Sequence, residues 1–108
     1  MESQENILKL KKTVMIDGEE KTEIQYDFDS LTGRNVNNAF SNAKKKGYAI
    51  NSAYEMDPVI GCYMFAEAAG ISYEDVERMS AADYAKAGSL GRNFFIQNSG
   101  ITQLTESI

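Results

Sequence analysis

The chain has 108 residues, of which 43% are hydrophobic and 25% are charged, and its net charge is −5. These values are typical of one globular domain over residues 1–108, and they exclude collagen-like, coiled-coil and disordered chains. Because the chain contains no His and a single Cys, it lacks the residues for a His-dependent catalytic triad, a Cys/His zinc site or an intramolecular disulfide.

Charge is distributed unevenly along the chain. Residues 1–48 carry eight basic and eight acidic side chains, whereas residues 49–108 carry three basic and eight acidic ones. An acidic second half disfavours nucleic acid as a partner, since neutralisation of phosphates dominates that affinity. No apolar run approaches the ~20 residues of a membrane span, and the N-terminus lacks the basic and apolar segments of a signal peptide. We therefore expect a cytoplasmic protein that binds neither nucleic acid nor membranes.

Two segments of alternating polarity predict an antiparallel β-hairpin over residues 8–28. The apolar positions are even-numbered in both segments, and Asp17-Gly18-Glu19-Glu20 forms the turn between them. Because opposed residues of an antiparallel pair share a face, a regular two-residue loop would turn one apolar row away from the core. We therefore expect a loop of three or five residues, with Gly18 in a left-handed conformation, or a bulge in one strand. The two rows are Leu8, Leu10, Val14 and Ile16, and Thr22, Ile24, Tyr26 and Phe28.

Residues 33–97 carry the patterns of three to four helices. Thr32 is a capping residue for the first helix, which ends at three lysines and Gly47. Asp57 and Pro58 begin the second helix, which is apolar nearly all round as far as Gly70 and is therefore expected to be central and buried. The buried stripe of the first helix comprises Val36, Ala39, Phe40 and Ala43.

Two further helices are each predicted by a Ser that is followed three positions later by an Asp. Ser72 with Asp75 begins a short third helix, and Ser80 with Asp83 begins a fourth over about residues 81–97. The fold class is therefore α+β, an N-terminal antiparallel β-hairpin followed by three to four α-helices, with flexible ends at residues 1–6 and 98–108. The expected apolar side of the fourth helix comprises Ala81, Tyr84, Ala85, Gly88 and Phe95, with Leu90 and Phe94 beside it.

Gly88 lies inside the fourth helix, where a glycine costs roughly 1 kcal/mol relative to alanine. A cost of this kind usually indicates close packing, and Gly61 of the second helix is the expected partner. We therefore expect the backbones of these two helices to approach each other at these residues.

The sequence contains no pattern of a catalytic, cofactor or metal site. Asp27 and Asp29 do not fit the spacing of a calcium loop and are interpreted as turn residues, and Cys62 is interpreted as a small buried hydrophobe. We therefore expect no enzymatic activity, cofactor or metal. Apolar surface near the C-terminus, with an acidic rim, is the candidate partner site. Its candidate residues are Leu90, Phe94, Phe95 and Ile96, and core packing stays open for Phe94 and Phe95.

Three stretches carry a resemblance to a known family. They are Ile16-Asp17-Gly18-Glu19 in the hairpin, Leu31-Thr32-Gly33-Arg34 at the start of the first helix, and AEAAGISYEDVERMSAAD over residues 66–83. Together they resemble the Mu-like phage tail assembly chaperone family, and the resemblance covers about residues 8–97. Asn35 departs from the pattern, because related sequences often have Asp at that position.

The resemblance implies a non-enzymatic protein that binds the phage tape-measure protein during tail assembly. It also implies a location in the host cytoplasm and absence from the mature virion. A structural tail or head–tail protein and a small regulatory protein-binding module stay open as alternatives, and so does assembly into a homo-oligomer.

Overall fold

The computed structural model describes residues 6–50 and 52–98, in which a two-stranded sheet is followed by four α-helices. This confirms the α+β fold and the N-terminal hairpin. Single turns of 3₁₀ helix at Phe28–Ser30 and Tyr54–Met56 precede the first and second α-helices. The elements are β1 (Ile7–Ile16), β2 (Glu19–Gln25), α1 (Gly33–Lys45), α2 (Pro58–Ala69), α3 (Tyr73–Glu77) and α4 (Ala81–Asn98).

The ends that were expected to be flexible lie mostly outside the described residues, which exclude 1–5, 51 and 99–108. The described parts of both ends are attached to the fold. Asn6 accepts a backbone hydrogen bond from Tyr26 over 2.9 Å, and Asn98 is the last residue of α4.

The hairpin turn has two residues, so the expected three-residue loop is wrong. Asp17 and Gly18 both have positive φ angles, 54° and 80°, as a two-residue hairpin turn requires. Near the turn, Val14 is opposite Lys21, whereas nearer the base Leu8 is opposite Ile24. Six positions along β1 therefore correspond to three along β2.

This irregularity lies between Lys9 and Val14, and it confirms the alternative of a bulge. Because a bulge increases the local twist, Val14 near the turn and Leu8 and Ile24 near the base are all buried in one core. Thr22 lies opposite the bulge and is exposed, which contradicts its expected place in the apolar row.

Asp83 of α4 holds the bulge in place. Both oxygens of its carboxylate lie 3.0 Å from the backbone nitrogen of Lys11, and Oδ2 lies 3.3 Å from that of Lys12. Asp83 is 1% exposed, and its own N–H donates to Ser80 Oγ at 3.2 Å. The helix cap at Ser80 thus confirms the predicted start of α4, while the Asp83 side chain satisfies amides that the irregular ladder leaves unpaired.

The other predicted helix starts are also confirmed. Thr32 is the N-cap of α1, and Ser72 accepts the N–H of Asp75 at the start of α3. Asp57 accepts the N–H groups of Val59 and Ile60 through Oδ1.

α2 is the central helix, as its composition predicts. One side packs on α1 and the other on α4 and the hairpin, which gives two clusters of buried side chains. Its buried residues are Ile60, Gly61, Cys62, Tyr63, Met64, Phe65 and Ala66.

Glycines bring α2 and α4 into backbone contact, and the predicted approach of Gly88 to Gly61 is confirmed. A Cβ atom on Gly61 would overlap the carbonyl oxygen of Gly88, and one on Gly91 would lie 2.6 Å from Cα of Gly61. With this contact, the buried face of α4 consists of Asp83, Ala87, Gly88 and Gly91. Ala81 and Ala85 are exposed, so the expectation that they face the core is wrong.

Candidate functional site

The four residues predicted to bind a partner lie on the second half of α4, and all of them are half-buried. Leu90 packs against the cluster that the hairpin shares with α2, whereas Phe94 and Phe95 pack against the cluster between α1 and α2. Ile96 follows them at the end of the helix. The predicted residues are therefore divided between two sides of α4.

Phe94 and Phe95 belong to a row of aromatic rings that joins three parts of the fold. The ring of Phe94 stacks on Phe28, with 5.4 Å between the centroids, and that of Phe95 stacks on Phe40 at 6.2 Å. Tyr54 contacts Phe95 edge-on at 5.3 Å. Core packing is thus confirmed for Phe94 and Phe95, and the sequence patterns did not indicate which rings would meet.

A groove of about 590 Å³ opens beside this aromatic row, and we call it the α1 groove. Lys44 is the charged residue of its lining, and none of the four residues predicted to bind a partner belongs to it. The acidic rim expected around those four residues stays a prediction. Met56, in the same 3₁₀ turn as Tyr54, is 56% exposed and lies outside the lining. The groove is lined by Asn37, Phe40, Ser41, Lys44, Ile50 and Tyr54.

Arg92 lies on α4 one turn before Phe95. Its Nη2 donates to Ser89 Oγ at 3.1 Å, and its buried Nε has no hydrogen-bond partner within residues 6–50 and 52–98. Arg78 is bonded much more completely, since it reaches Asp75 Oδ1 at 2.6 Å and the backbone carbonyl of Met15. The guanidinium of Arg92 therefore retains donors that the fold does not use.

Cys62 has the environment of a structural thiol. Its Sγ lies 3.4 Å from the carbonyl oxygen of Tyr84, and burial raises the pKa of the thiol to about 12. Because the thiolate is the reactive form, this confirms the interpretation of Cys62 as a buried hydrophobe.

The carboxylates also have structural roles. Asp27 caps a 3₁₀ turn by accepting the N–H of Asp29 at 3.0 Å, which confirms the interpretation of this pair as turn residues. Burial alone would raise the pKa of Asp75, but hydrogen bonds from Arg78 and Ser72 outweigh burial and lower that pKa. In the described part of the chain, no group of three or more acidic or Cys residues is arranged to hold a metal ion.

Asn35 joins α1 to α2. Its Oδ1 accepts the N–H of Thr32 at 2.9 Å, and its Nδ2 donates to Glu67 Oε1 at 3.0 Å. A carboxylate could make the first bond but not the second. Asparagine at this position therefore has a structural role that aspartate could not fill.

No family model, curated protein or solved structure matches the chain. Within the ranges 6–50 and 52–98, no helix has both the length and the apolar character needed to cross a membrane.

Proposed function

We propose that the protein is a non-enzymatic phage tail assembly chaperone that binds the tape-measure protein while the tail is assembled. The observation that carries this proposal is that the resembling stretches coincide with the ends of structural elements. Asp17 and Gly18 form the hairpin turn, Thr32 begins α1, and Ser72 and Ser80 begin α3 and α4. The residues that carry the resemblance thus lie at a turn and at helix starts, which supports the proposal of an architecture like that of the family.

The α1 groove is the surface that we assign to the tape-measure protein. Phe40, Ile50 and Tyr54 supply its apolar lining, and removal of such surface from water favours binding. Grooves of this kind accept the apolar face of an amphipathic helix. Met56, two residues after Tyr54, is also exposed, and methionine adapts well to different partners.

Under this proposal the protein acts in the host cytoplasm and is absent from the finished virion. Its task is to cover apolar segments of a long partner before that partner is enclosed in the tail. Recovery of the protein in purified tails would instead favour the alternative of a structural tail or head–tail protein.

Co-expression with the candidate tape-measure protein, followed by a pull-down, tests the proposal. Ser41 lines the groove and is exposed, so Ser41→Arg should fill the groove without disturbing the core. Asn38→Arg is the matched control, because Asn38 is an exposed residue of the same helix outside the groove.

The wild type and Asn38→Arg should keep the tape-measure protein soluble, and Ser41→Arg should not. If the wild type binds nothing, the chaperone function is wrong. If folded Ser41→Arg binds as well as the wild type, the function stands but the groove is the wrong surface.

A further inference from the structure

The two strands of the hairpin differ in how the helices use their backbone. On β1, the Asp83 carboxylate accepts the N–H of Lys11, and Arg78 donates to the carbonyl oxygen of Met15. β2 is the other strand of the two-stranded sheet, and its outer edge has no strand beside it. Among the described residues, the backbone of Glu19–Gln25 has no hydrogen bond outside its ladder with β1. β2 therefore presents N–H and C=O groups that another strand can use.

A groove of about 410 Å³ lies beside this edge. One wall is β2 itself, from Glu20 to Gln25, and the lining also includes Ile16, Ala69 and Ile71. An extended segment in this groove would gain backbone hydrogen bonds from the strand and apolar contacts from the other wall. The groove is thus shaped for a strand rather than for a small molecule.

We propose that the outer edge of β2 pairs with β2 of a second copy of this chain, so that two hairpins form one four-stranded antiparallel sheet. A two-fold axis through the sheet at Thr22 relates the two copies. No residue of β2 lines the α1 groove, so this inference concerns a different surface and does not depend on the proposed function.

The order of charges along β2 selects the register of this pairing. An axis at Thr22, the middle residue of the strand, pairs the strand over its whole length and places Lys21 of each copy opposite Glu23 of the other. An axis one residue earlier would set the two lysines against each other, and an axis one residue later would set the two glutamates against each other. Charged side chains usually protect an edge strand from pairing, and here they favour a single register.

Glu23 gains a second basic neighbour in the dimer. Within the hairpin it lies opposite Lys9, and in the dimer it would lie between Lys9 and Lys21 of the second copy. Lys21 now pairs with Glu19 of its own strand at 2.9 Å, where the side chains are 40% and 71% exposed. Because exposed ion pairs contribute little to stability, exchange of Glu19 for Glu23 of the second copy costs little.

Disulfide formation tests the position of the two-fold axis. Opposed residues of an antiparallel pair have Cα atoms roughly 4.5–5.5 Å apart, a distance that a disulfide can bridge. Thr22→Cys should therefore give a covalent dimer on mild oxidation, seen in non-reducing electrophoresis. Gln25→Cys is the matched control, because Gln25 is exposed on the same strand but is opposite Glu19, six positions from its own copy. Cys62 is buried and should not interfere.

Charge reversal tests the register. Analytical ultracentrifugation over a range of concentrations should show that the wild type dimerises. Lys21→Glu and Glu23→Lys should each raise the dissociation constant roughly tenfold or more, since two attractive pairs become repulsive. An equal mixture of the two variants should dimerise again, because each reversed charge then meets its opposite. Lys86→Glu makes the same change of charge at an exposed position of α4 and should have little effect.

Recovery in the mixture separates pairing from folding. Glu23→Lys also faces Lys9 within its own hairpin, but a loss of folding would not be reversed by adding Lys21→Glu. The inference is wrong if the wild type is a monomer throughout, or if Lys21→Glu dimerises as tightly as the wild type. It is also wrong if Thr22→Cys cross-links no better than Gln25→Cys, or if two variants with the melting temperature of the wild type fail to dimerise when mixed.

Discussion

The carboxylate of Asp83 accepts the backbone N–H of Lys11, with 3.0 Å between the nitrogen and each carboxylate oxygen. The two residues are far apart in the sequence, and the contact joins the start of α4 to the bulge of β1. One buried side chain thus connects the hairpin to the helices.

Replacement of Asp83 by Asn should destabilise the protein. The amide group of Asn has one acceptor instead of two, and its NH₂ group would face the N–H groups of Lys11 and Lys12. We expect the free energy of unfolding in urea to fall by about 2 kcal/mol or more. Glu77→Gln removes one charge at an exposed position and is the control, for which we expect a change below about 0.5 kcal/mol. Equal stability of the two variants would mean that the bulge does not need Asp83.

The pKa of Asp83 predicts how the free energy of unfolding depends on pH. Burial alone would raise the pKa of its carboxyl, but the hydrogen bonds from β1 and Ser80 lower that pKa below its ordinary value of 3.8. A depressed pKa in the folded state gives a stabilisation that is complete well above pH 3.8 and is lost as the pH falls below it.

The measurement is the urea midpoint of the wild type and of Asp83→Asn at several values between about pH 6 and about pH 3. The difference between the two proteins should be constant at the upper end and should shrink at the lower end. A difference that stays constant throughout would show that the carboxyl of Asp83 does not lose its stabilising effect through protonation.

The parts of the fold that the sequence predicts well are those governed by neighbouring residues. Caps at Thr32, Asp57 and Ser72 depend on side chains within three or four positions, so their patterns are visible in the sequence. The even-numbered apolar positions of both strands likewise require either a loop with an odd number of residues or a bulge, although they do not decide between the two.

The contacts that were not predicted depend on tertiary distance. The sequence pattern identified Asp83 as part of a helix start, but its carboxylate reaches a strand 72 positions away. Phe95 was identified as apolar, and only the packing of α4 on α2 through Gly61 brings it against Phe40 and Tyr54. Periodicity indicates a face of a helix but not the residues that the face meets.

Alanine at Gly91 should disrupt the contact between α2 and α4. The added Cβ would lie 2.6 Å from Cα of Gly61 and would force the helices apart. We expect the free energy of unfolding to fall by about 1–3 kcal/mol. Gly33→Ala is the matched control, because a Cβ at Gly33 would have no neighbour within 4 Å and the helix gains from alanine. Similar effects of both substitutions would contradict the close approach of the two helices.

Cys62 should be unreactive toward thiol reagents in the folded protein. Burial raises its pKa to about 12, and its side chain is fully buried. Labelling with a chromogenic disulfide at mild alkaline pH should therefore proceed only when the protein opens, and it should become fast in denaturing urea. Rapid labelling of the native protein would show that α2 is accessible from solution. Asp83→Asn should label faster than the wild type, in proportion to its lower stability.

The hydrogen bond between Asn35 and Glu67 predicts a pair of compensating substitutions. Asn35→Asp keeps the acceptor for the Thr32 N–H but removes the donor to Glu67. It also places two carboxylates beside each other, because Asn35 Nδ2 lies 3.0 Å from Glu67 Oε1 in the wild type. We expect a loss of about 1 kcal/mol in the free energy of unfolding, whereas Asn38→Asp, at an exposed position of the same helix, should change it little.

Adding Glu67→Gln to Asn35→Asp should recover most of this loss. The amide of Gln can donate to the new carboxylate, so the same hydrogen bond is made with its direction reversed. A double-mutant cycle on the two positions should therefore give a coupling of roughly 1 kcal/mol. Additive effects would show that the contact does not join α1 to α2, and Asn35 would then be a helix-start residue for which Asp is an equivalent choice.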